Sequence, residues 1–213
     1  MEGLRKMLII LLVLGLLLVS FVYAVNLDKK ADNKQEEPID KGELNYEYIL
    51  FAGTVAEIST EGEYYTLLVE RDSEEEPYDK MVFTLAEDVV LVNNKTMAFI
   101  DKDDIKEGMK VWVFYHKDTP IMESYPARAG CDVVAVMEED GIPNVEVYKF
   151  DKDLVSTDRI LKIFPNEETE IIDIKGNTLT EKDIRNKRAI VFYDVAELSL
   201  PAQVAPKKVI ILD

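Results

Sequence analysis

The chain has 213 residues, of which 42 are acidic and 25 basic, and its formal net charge at pH 7 is −17. A charge of this size and sign argues against nucleic acid or anionic lipid as a ligand, because phosphate groups need counter-charge from the protein. A solvated acidic surface that keeps the protein soluble explains it. The single cysteine, Cys131, excludes an intramolecular disulfide, so packing alone must stabilise the fold.

The N-terminal segment has the parts of a secretory signal peptide. Arg5 and Lys6 precede an apolar run over residues 7–22, and the residues that follow suit cleavage after Ala24. We therefore predict that residues 1–24 direct export and are removed. The alternative is an uncleaved membrane anchor, because the apolar run is at the short end of what spans a bilayer. Both alternatives place the folded part outside the cytoplasm, either secreted or anchored.

Residues 25–45 contain few apolar side chains and show no sustained periodicity. Burial therefore cannot offset the entropy cost of ordering them. We predict that this segment is a disordered polar and acidic tether.

From Tyr46 onward, short β-rich runs alternate with turn residues. Polar segments at 59–63 and 72–77 predict turns between strands, and a long loop is predicted over 116–130. The predicted strands of this part of the chain are 48–58, 64–70, 80–85, 89–92, 111–115 and 132–136.

One helical stretch is predicted in the same part of the chain, over 101–108. Asp101 suits its N-cap, and Gly108 suits the left-handed position that ends a helix. With 80–85 and 89–92 taken together as one strand, the order is three strands, a short helix and two more strands, which is the order of elements in an OB-fold, a five-stranded Greek-key barrel. We therefore predict an OB-like β-barrel over residues 46–138.

A second and shorter β module is predicted over residues 144–213. Gly141-Ile142-Pro143 marks the boundary before it. Its strands are expected at 145–150, 159–164 and 169–174, with a helix starting near 180–183. The predicted fold class is mainly β, with two tandem small OB-like barrels and a short helix before the last two strands of each.

An internal repeat supports two related modules. Residues 97–136 are echoed in the same order by residues 177–212. No catalytic constellation repeats with them, so the repeat predicts architecture and not chemistry. The matched segments include Asp104-Ile105-Lys106 with Asp183-Ile184-Arg185, Val113-Phe114-Tyr115 with Val191-Phe192-Tyr193, and Tyr125-Pro126-Ala127 with Leu200-Pro201-Ala202.

Few residues of the chain suit catalysis. His116 is the single histidine, so sites with two or three histidine ligands cannot form within one chain. Cys131 is interpreted as a small buried hydrophobe, with a reactive thiol as the alternative. Asp101, Asp103 and Asp104 lack the glycine and glutamate of an EF-hand, although weak divalent-ion binding stays open. We predict no catalytic residue, no metal site, no cofactor and no enzymatic activity.

The predicted loop 116–130 carries the candidate binding residues. In OB-folds this loop borders the ligand face, and apolar side chains on a proline-restricted loop often form contact surfaces. The alternative is that Tyr125-Pro126 closes the open end of the barrel, as its second copy at 199–203 would also do. The candidates are Thr119, Pro120, Ile121, Met122, Tyr125, Pro126 and Arg128.

A pattern of turns and strand starts runs through the first module. It consists of Gly53-Thr54-Val55, the Asp-Ile segment at 104–111, Thr119-Pro120, Tyr125-Pro126 and Val133-Val134. This pattern resembles exported modules of Gram-positive bacteria that are often found beside stalk domains labelled copper-amine-oxidase-like. It covers about residues 49–137 and, more weakly, 177–212, and departs at Ala127, where those modules have a second proline. The resemblance implies export and a non-catalytic role at the cell envelope, without oxidase chemistry, since the copper-binding histidines are absent.

The sequence thus predicts an exported, non-catalytic binding or adaptor protein that recognises a protein or wall component of the bacterial cell envelope. One alternative is an extracytoplasmic hydrolase or calcium-dependent enzyme that uses acidic side chains. Another is a secreted inhibitor or immunity protein, which differs from the first prediction only in its partner.

Overall fold

The computed structural model describes residues 46–60, 64–71, 78–138 and 143–213. In these residues the chain is mainly β, as predicted. The predicted signal peptide and tether lie outside the described residues, as do most of the two turns at 59–63 and 72–77 and of the boundary segment.

The first module forms one seven-stranded sheet, in which β1 is the longest strand. The strand order is β4-β7-β5-β1-β2-β3-β6. The strands are β1 (Tyr48–Ser59), β2 (Tyr65–Glu70), β3 (Lys80–Leu85), β4 (Val90–Asn93), β5 (Lys110–His116), β6 (Ala127–Gly130) and β7 (Val133–Met137).

The second module forms a four-stranded sheet, in the order β10-β13-β11-β8, and a two-stranded sheet that pairs β12 with β9. The strands are β8 (Asn144–Lys149), β9 (Leu161–Ile163), β10 (Glu170–Asp173), β11 (Arg188–Tyr193), β12 (Ala202–Val204) and β13 (Lys208–Ile211).

Strand pairing follows the same plan in the two modules. β1 pairs antiparallel with β5, and β8 does so with β11. β7 lies between β5 and a parallel β4, and β13 lies in the same way between β11 and a parallel β10. The parallel pair of β3 with β6 has its counterpart in β9 with β12. Among the described residues of the second module no strand corresponds to β2, which accounts for its shorter length.

The predicted positions of the helices need correction. The first is a 3-10 helix at Lys102–Asp104 and the second, α1, is an α-helix at Glu181–Ile184. Each is followed by three strands and not by two, because β6 and β12 lie in segments that the sequence predicts as loops. These two strands have only three or four residues and pair in parallel with partners far away in the sequence, so no local pattern indicates them.

A closed hydrogen-bonded barrel is not formed by the described residues of either module. In the first module β4 and β6 are the two edge strands of the sheet, and no pairing among the described residues joins them. The last predicted strand, 132–136, is β7, whereas β6 lies in the predicted loop, and only Cys131 and Asp132 separate the two along the chain. β6 joins β3 at one edge of the sheet, and β7 lies between β5 and the other edge strand, β4.

Three clusters of buried side chains hold the described part of the chain together. One lies within the first module, around Phe51, Phe83 and Ile105, and another within the second, around Phe150 and Ile184. The third is shared: it contains Phe114 and Val133 of the seven-stranded sheet together with residues of the four-stranded sheet such as Phe192. The two modules are therefore joined by a common apolar core, which we call the shared core.

A polar network reinforces this junction at the edge of the shared core. The guanidinium of Arg188 donates to the hydroxyl of Tyr48 at 3.1 Å, is paired with the carboxylate of Asp213, and lies 3.8 Å from that of Asp132. Burial lowers the pKa of Arg188, but the hydrogen bonds to Asp213 and Tyr48 outweigh it and the pKa is raised. The C-terminal residue and the first strand are thus tied to β11.

The start of α1 predicts a pH-dependent contribution to stability. Asp183 accepts hydrogen bonds from the hydroxyl of Thr180 at 2.7 Å and from its N–H at 2.8 Å, which hold the pKa of Asp183 below its usual range. Such a contribution is complete above the unfolded pKa and is lost as pH falls through the folded value. We expect Thr180→Val to lower the urea midpoint at neutral pH, and the difference from the wild type to shrink in acid.

Urea unfolding at a series of pH values measures this effect, and Thr178→Val, the same change at an exposed position two residues earlier, is the control. A difference between Thr180→Val and the wild type that stays constant into acid would contradict it.

Candidate binding site

A groove of about 1110 Å³ lies on the outer face of the seven-stranded sheet. Its floor comes from strands in which alternate side chains point to opposite faces. In β2 Leu67 and Val69 are buried in the core, while Leu68 between them lines the groove. In β3 Val82 lies in the same way between two core residues. The centre of the floor is therefore apolar, with Thr66 and Thr84 of the same two strands beside it.

The β5–β6 loop forms one wall of this groove. The N–H of Met122 donates to the carbonyl of Arg128 at 2.8 Å, and the N–H of Arg128 donates back to the carbonyl of Met122 at 3.2 Å. The hydroxyl of Ser124 donates to the carbonyl of Pro126 at 2.7 Å. These bonds fold the loop back on β6 and fix its position beside the floor.

Five of the seven candidate residues line the groove, and two do not. Ile121 packs against the core of the first module. Tyr125 is 76% exposed, its hydroxyl donates to Asp79 at 3.1 Å, and the ammonium of Lys80 lies 5.1 Å from the centre of its ring. The five that line the groove are Thr119, Pro120, Met122, Pro126 and Arg128.

The position of Tyr125 bears on the alternative that this segment only closes a barrel. A side chain that covered the end of a core would be buried, whereas Tyr125 is mostly exposed, and so is Leu200 at the matching position of the second module. Within the loop, Ile121 is the side chain that covers the core. The loop thus divides into a packing residue and a set of exposed residues.

The matching β11–β12 loop of the second module has the same local bonds. The hydroxyl of Ser199 donates to the carbonyl of Pro201 at 2.8 Å, as Ser124 does to Pro126. Its apolar side chains Val195, Leu198 and Leu200 are all exposed. Both modules therefore present apolar groups on this loop.

Sequence reasoning did not identify the residues of the floor or the other lining residues outside the β5–β6 loop. A signal for the floor was present at 67–69 and 81–83, where three apolar residues follow one another. A strand with only one buried face alternates apolar with polar residues, so an unbroken apolar run indicates apolar side chains on its outer face as well. The residues that it missed are Glu57, Ser59, Tyr64, Thr66, Leu68, Val82, Thr84, Ala129 and Gly130.

Among the residues that the structure describes, the charged lining of the groove consists of Glu57 and Arg128, one on each side of the floor. Arg128 is exposed and lies on β6. The groove thus offers apolar contact along its floor and one charge of each sign at its sides.

His116, the one residue able to serve as a histidine base, is held by structural contacts at the end of β5. The N–H of Asp118 donates to its Nδ1 at 3.2 Å, and its own backbone N–H donates to Asp132 at 3.2 Å. Its ring meets that of Tyr48 edge-on, with the ring centres 5.8 Å apart. It lies outside the lining of the groove.

Cys131 is held in the gap between β6 and β7, and its sulfur lies 3.9 Å from the carbonyl oxygen of Thr84. Burial raises the pKa of its thiol, and the nearby carboxylates of Asp132 and Asp88 raise it further. Because the thiolate is the nucleophile, a raised pKa lowers the reactivity of the thiol at neutral pH.

We therefore expect Cys131 to react with a thiol-specific reagent far more slowly in the native protein than in the protein unfolded by urea. Absorbance or mass spectrometry follows the reaction at mildly alkaline pH. Equal rates in the two states would show that the thiol is accessible and ionised in the fold.

Within residues 46–60, 64–71, 78–138 and 143–213, no three side chains of the His, Cys, Asp or Glu type are grouped so as to hold a metal ion. The carboxylate of Asp104 accepts a hydrogen bond from the N–H of Asp101 at 2.9 Å, so it serves the start of the 3-10 helix. None of the helices in these residues is long and apolar enough to span a membrane.

No protein-family model matches the chain, and no curated protein matches it.

Proposed function

We propose that this protein is an exported, non-catalytic binding protein of the cell envelope, and that the groove on its seven-stranded sheet holds the ligand. The single observation that carries the proposal is the placement of the β5–β6 loop beside the outer face of β2 and β3, where the apolar side chains of Leu68 and Val82 line the groove. Five candidate residues from the sequence line the groove there. Concave apolar sites with a few polar groups are the usual form of binding sites.

The exposure of the groove walls supports a role in binding. Met122 is 65% exposed, and Tyr64, which directly precedes β2 and also lines the groove, is 66% exposed. Exposed apolar groups that meet around one groove are typical of contact surfaces. Aromatic residues are also enriched among those that contribute most to binding.

An OB-like architecture for both modules is part of this proposal. It is supported by the pairing of β3 with β6 and of β5 with β7, because β6 and β7 are separated by two residues and together would act as the last strand of such a barrel. In OB-folds the ligand lies on the face of strands 2 and 3 between two loops. The groove has the corresponding position, on β2 and β3 beside the β5–β6 loop.

The charge of the chain restricts the ligand. A net charge of −17 disfavours polyanions, so we propose a neutral or basic partner, either a protein segment or an uncharged wall glycan.

Site-specific photo-cross-linking in the exporting cell tests the proposal. A photoreactive amino acid in place of Met122 should form a discrete adduct. An adduct with a protein appears as a band shift on a gel, and an adduct with wall material is released only by wall-digesting enzymes. The matched control places the same group at Ile174, which is 47% exposed and lies outside the groove.

Adduct formation at Met122 should be lost when Leu68→Asp places a charge in the floor of the groove, with the melting temperature showing that the variant is folded. No adduct at Met122, or the same adducts from both positions, would refute binding at the groove.

A further inference from the structure

A second pocket, separate from the groove, lies where β1 and β5 of one sheet meet β8 of the other. Its volume is about 390 Å³, within the range of roughly 300–1,000 Å³ that is usual for small-molecule sites. Five of its nine lining residues are aromatic, which is unusual in a chain with 9% aromatic residues. They are Tyr46, Tyr48, Trp112, Phe114 and Tyr148.

Among the described residues, the charged lining of this pocket is a single carboxylate, that of Glu146. Glu146 accepts a hydrogen bond from the hydroxyl of Tyr193 at 2.8 Å, which fixes its position. Two cations outside the lining contact it: Arg188 donates to the Tyr48 hydroxyl but is paired with Asp213, and Arg71 donates to the backbone carbonyl of Leu50 at 3.4 Å. The described lining side chains themselves carry one negative charge beside several aromatic rings.

Aromatic faces and a carboxylate together attract organic cations. The face of an aromatic ring is negative and binds ammonium groups, and sites for quaternary ammonium ions are built from several such rings. The large negative charge of the whole chain adds to the attraction. Ligands without a positive charge would gain only apolar contact here.

We propose that this pocket binds a small alkylammonium compound, with the aromatic rings around its positive group and Glu146 as the counter-charge. The inference is independent of the groove and of the function proposed for it.

The chain contains its own probe for this test, because Trp112 is its only tryptophan and lines the pocket. Choline is titrated into the purified full-length chain at constant ionic strength while the tryptophan emission is recorded. The neutral carbon isostere of choline, in which carbon replaces nitrogen, is titrated in parallel. We expect a saturable change with choline and a response at least tenfold weaker with the isostere.

Two variants locate the site. Tyr46→Ala removes a half-exposed ring that precedes β1, and Glu146→Gln removes the charge but keeps an acceptor for Tyr193. Each should weaken choline binding by about 3- to 10-fold, as expected for the loss of one cation–π contact or its counter-charge. Tyr64→Ala, in the groove, is the matched control and should bind as the wild type does.

The comparison of choline with its isostere in the wild type needs no variant, so the proposal can fail even if a variant does not fold. An equal response to both compounds, or no saturable response to choline, would overturn it. So would binding that is reduced as much by Tyr64→Ala as by Tyr46→Ala in folded protein.

Discussion

Replacing Phe192 with alanine should lower the free energy of unfolding by about 3–5 kcal/mol, the usual cost of removing a buried phenylalanine side chain. Phe192 is fully buried and belongs to the shared core. Its removal leaves a cavity that faces both sheets, so the change in one module should destabilise the other.

The intrinsic fluorescence of the chain measures this coupling directly. Trp112 belongs to the first module and packs against the shared core, whereas Phe192 belongs to the second module. Urea unfolding followed by tryptophan fluorescence should show the same lower midpoint as unfolding followed by circular dichroism. A common core predicts one cooperative transition for both modules.

Phe164→Ala is the matched control for this prediction. It makes the same change in the second module at a side chain that is 45% exposed, so the loss of stability should be much smaller. If Phe192→Ala left the fluorescence midpoint unchanged while the circular dichroism signal became biphasic, the two modules would be independent and the shared core would not couple them.

Gly53→Ala should lower the free energy of unfolding by about 1–3 kcal/mol, as is typical when atoms are forced into a packed site. This is the second of the two largest expected effects. A Cβ atom at Gly53 would lie 2.9 Å from the carbonyl carbon of Glu70 and equally close to the side chain of Val69, and closer still to the Glu70 carbonyl oxygen. The contacted atoms of Glu70 belong to the backbone of β2, so they cannot move aside by a side-chain rotation. β1 and β2 would have to separate where their pairing begins.

Gly130→Ala provides the matched control, because a Cβ atom there has open space around it. Thermal unfolding of the two variants should show a clear loss for Gly53→Ala and almost none for Gly130→Ala. Equal melting temperatures for both variants would mean that β1 and β2 tolerate the extra methyl group.

Part of the candidate binding site could be predicted from the sequence. The prolines and apolar side chains of the β5–β6 loop predicted an exposed surface, and five of its seven candidate residues line the groove. The loop also predicted Ile121 as a contact residue, but this side chain is used by the core. Short-range patterns identify a loop and its composition, and they do not show which of its side chains turn inward.

The amino-acid sequence alone determined that the chain is mainly β, because alternating apolar residues and turn residues are local features. It also showed that similar segments occur twice. Only the tertiary structure decided that β6 and β12 are strands, that the neighbouring strands β6 and β7 join different parts of one sheet, and that the two modules share a core. These features depend on partners far apart in the chain, and the pairing of distant backbone and side-chain groups leaves no periodic trace in a single sequence.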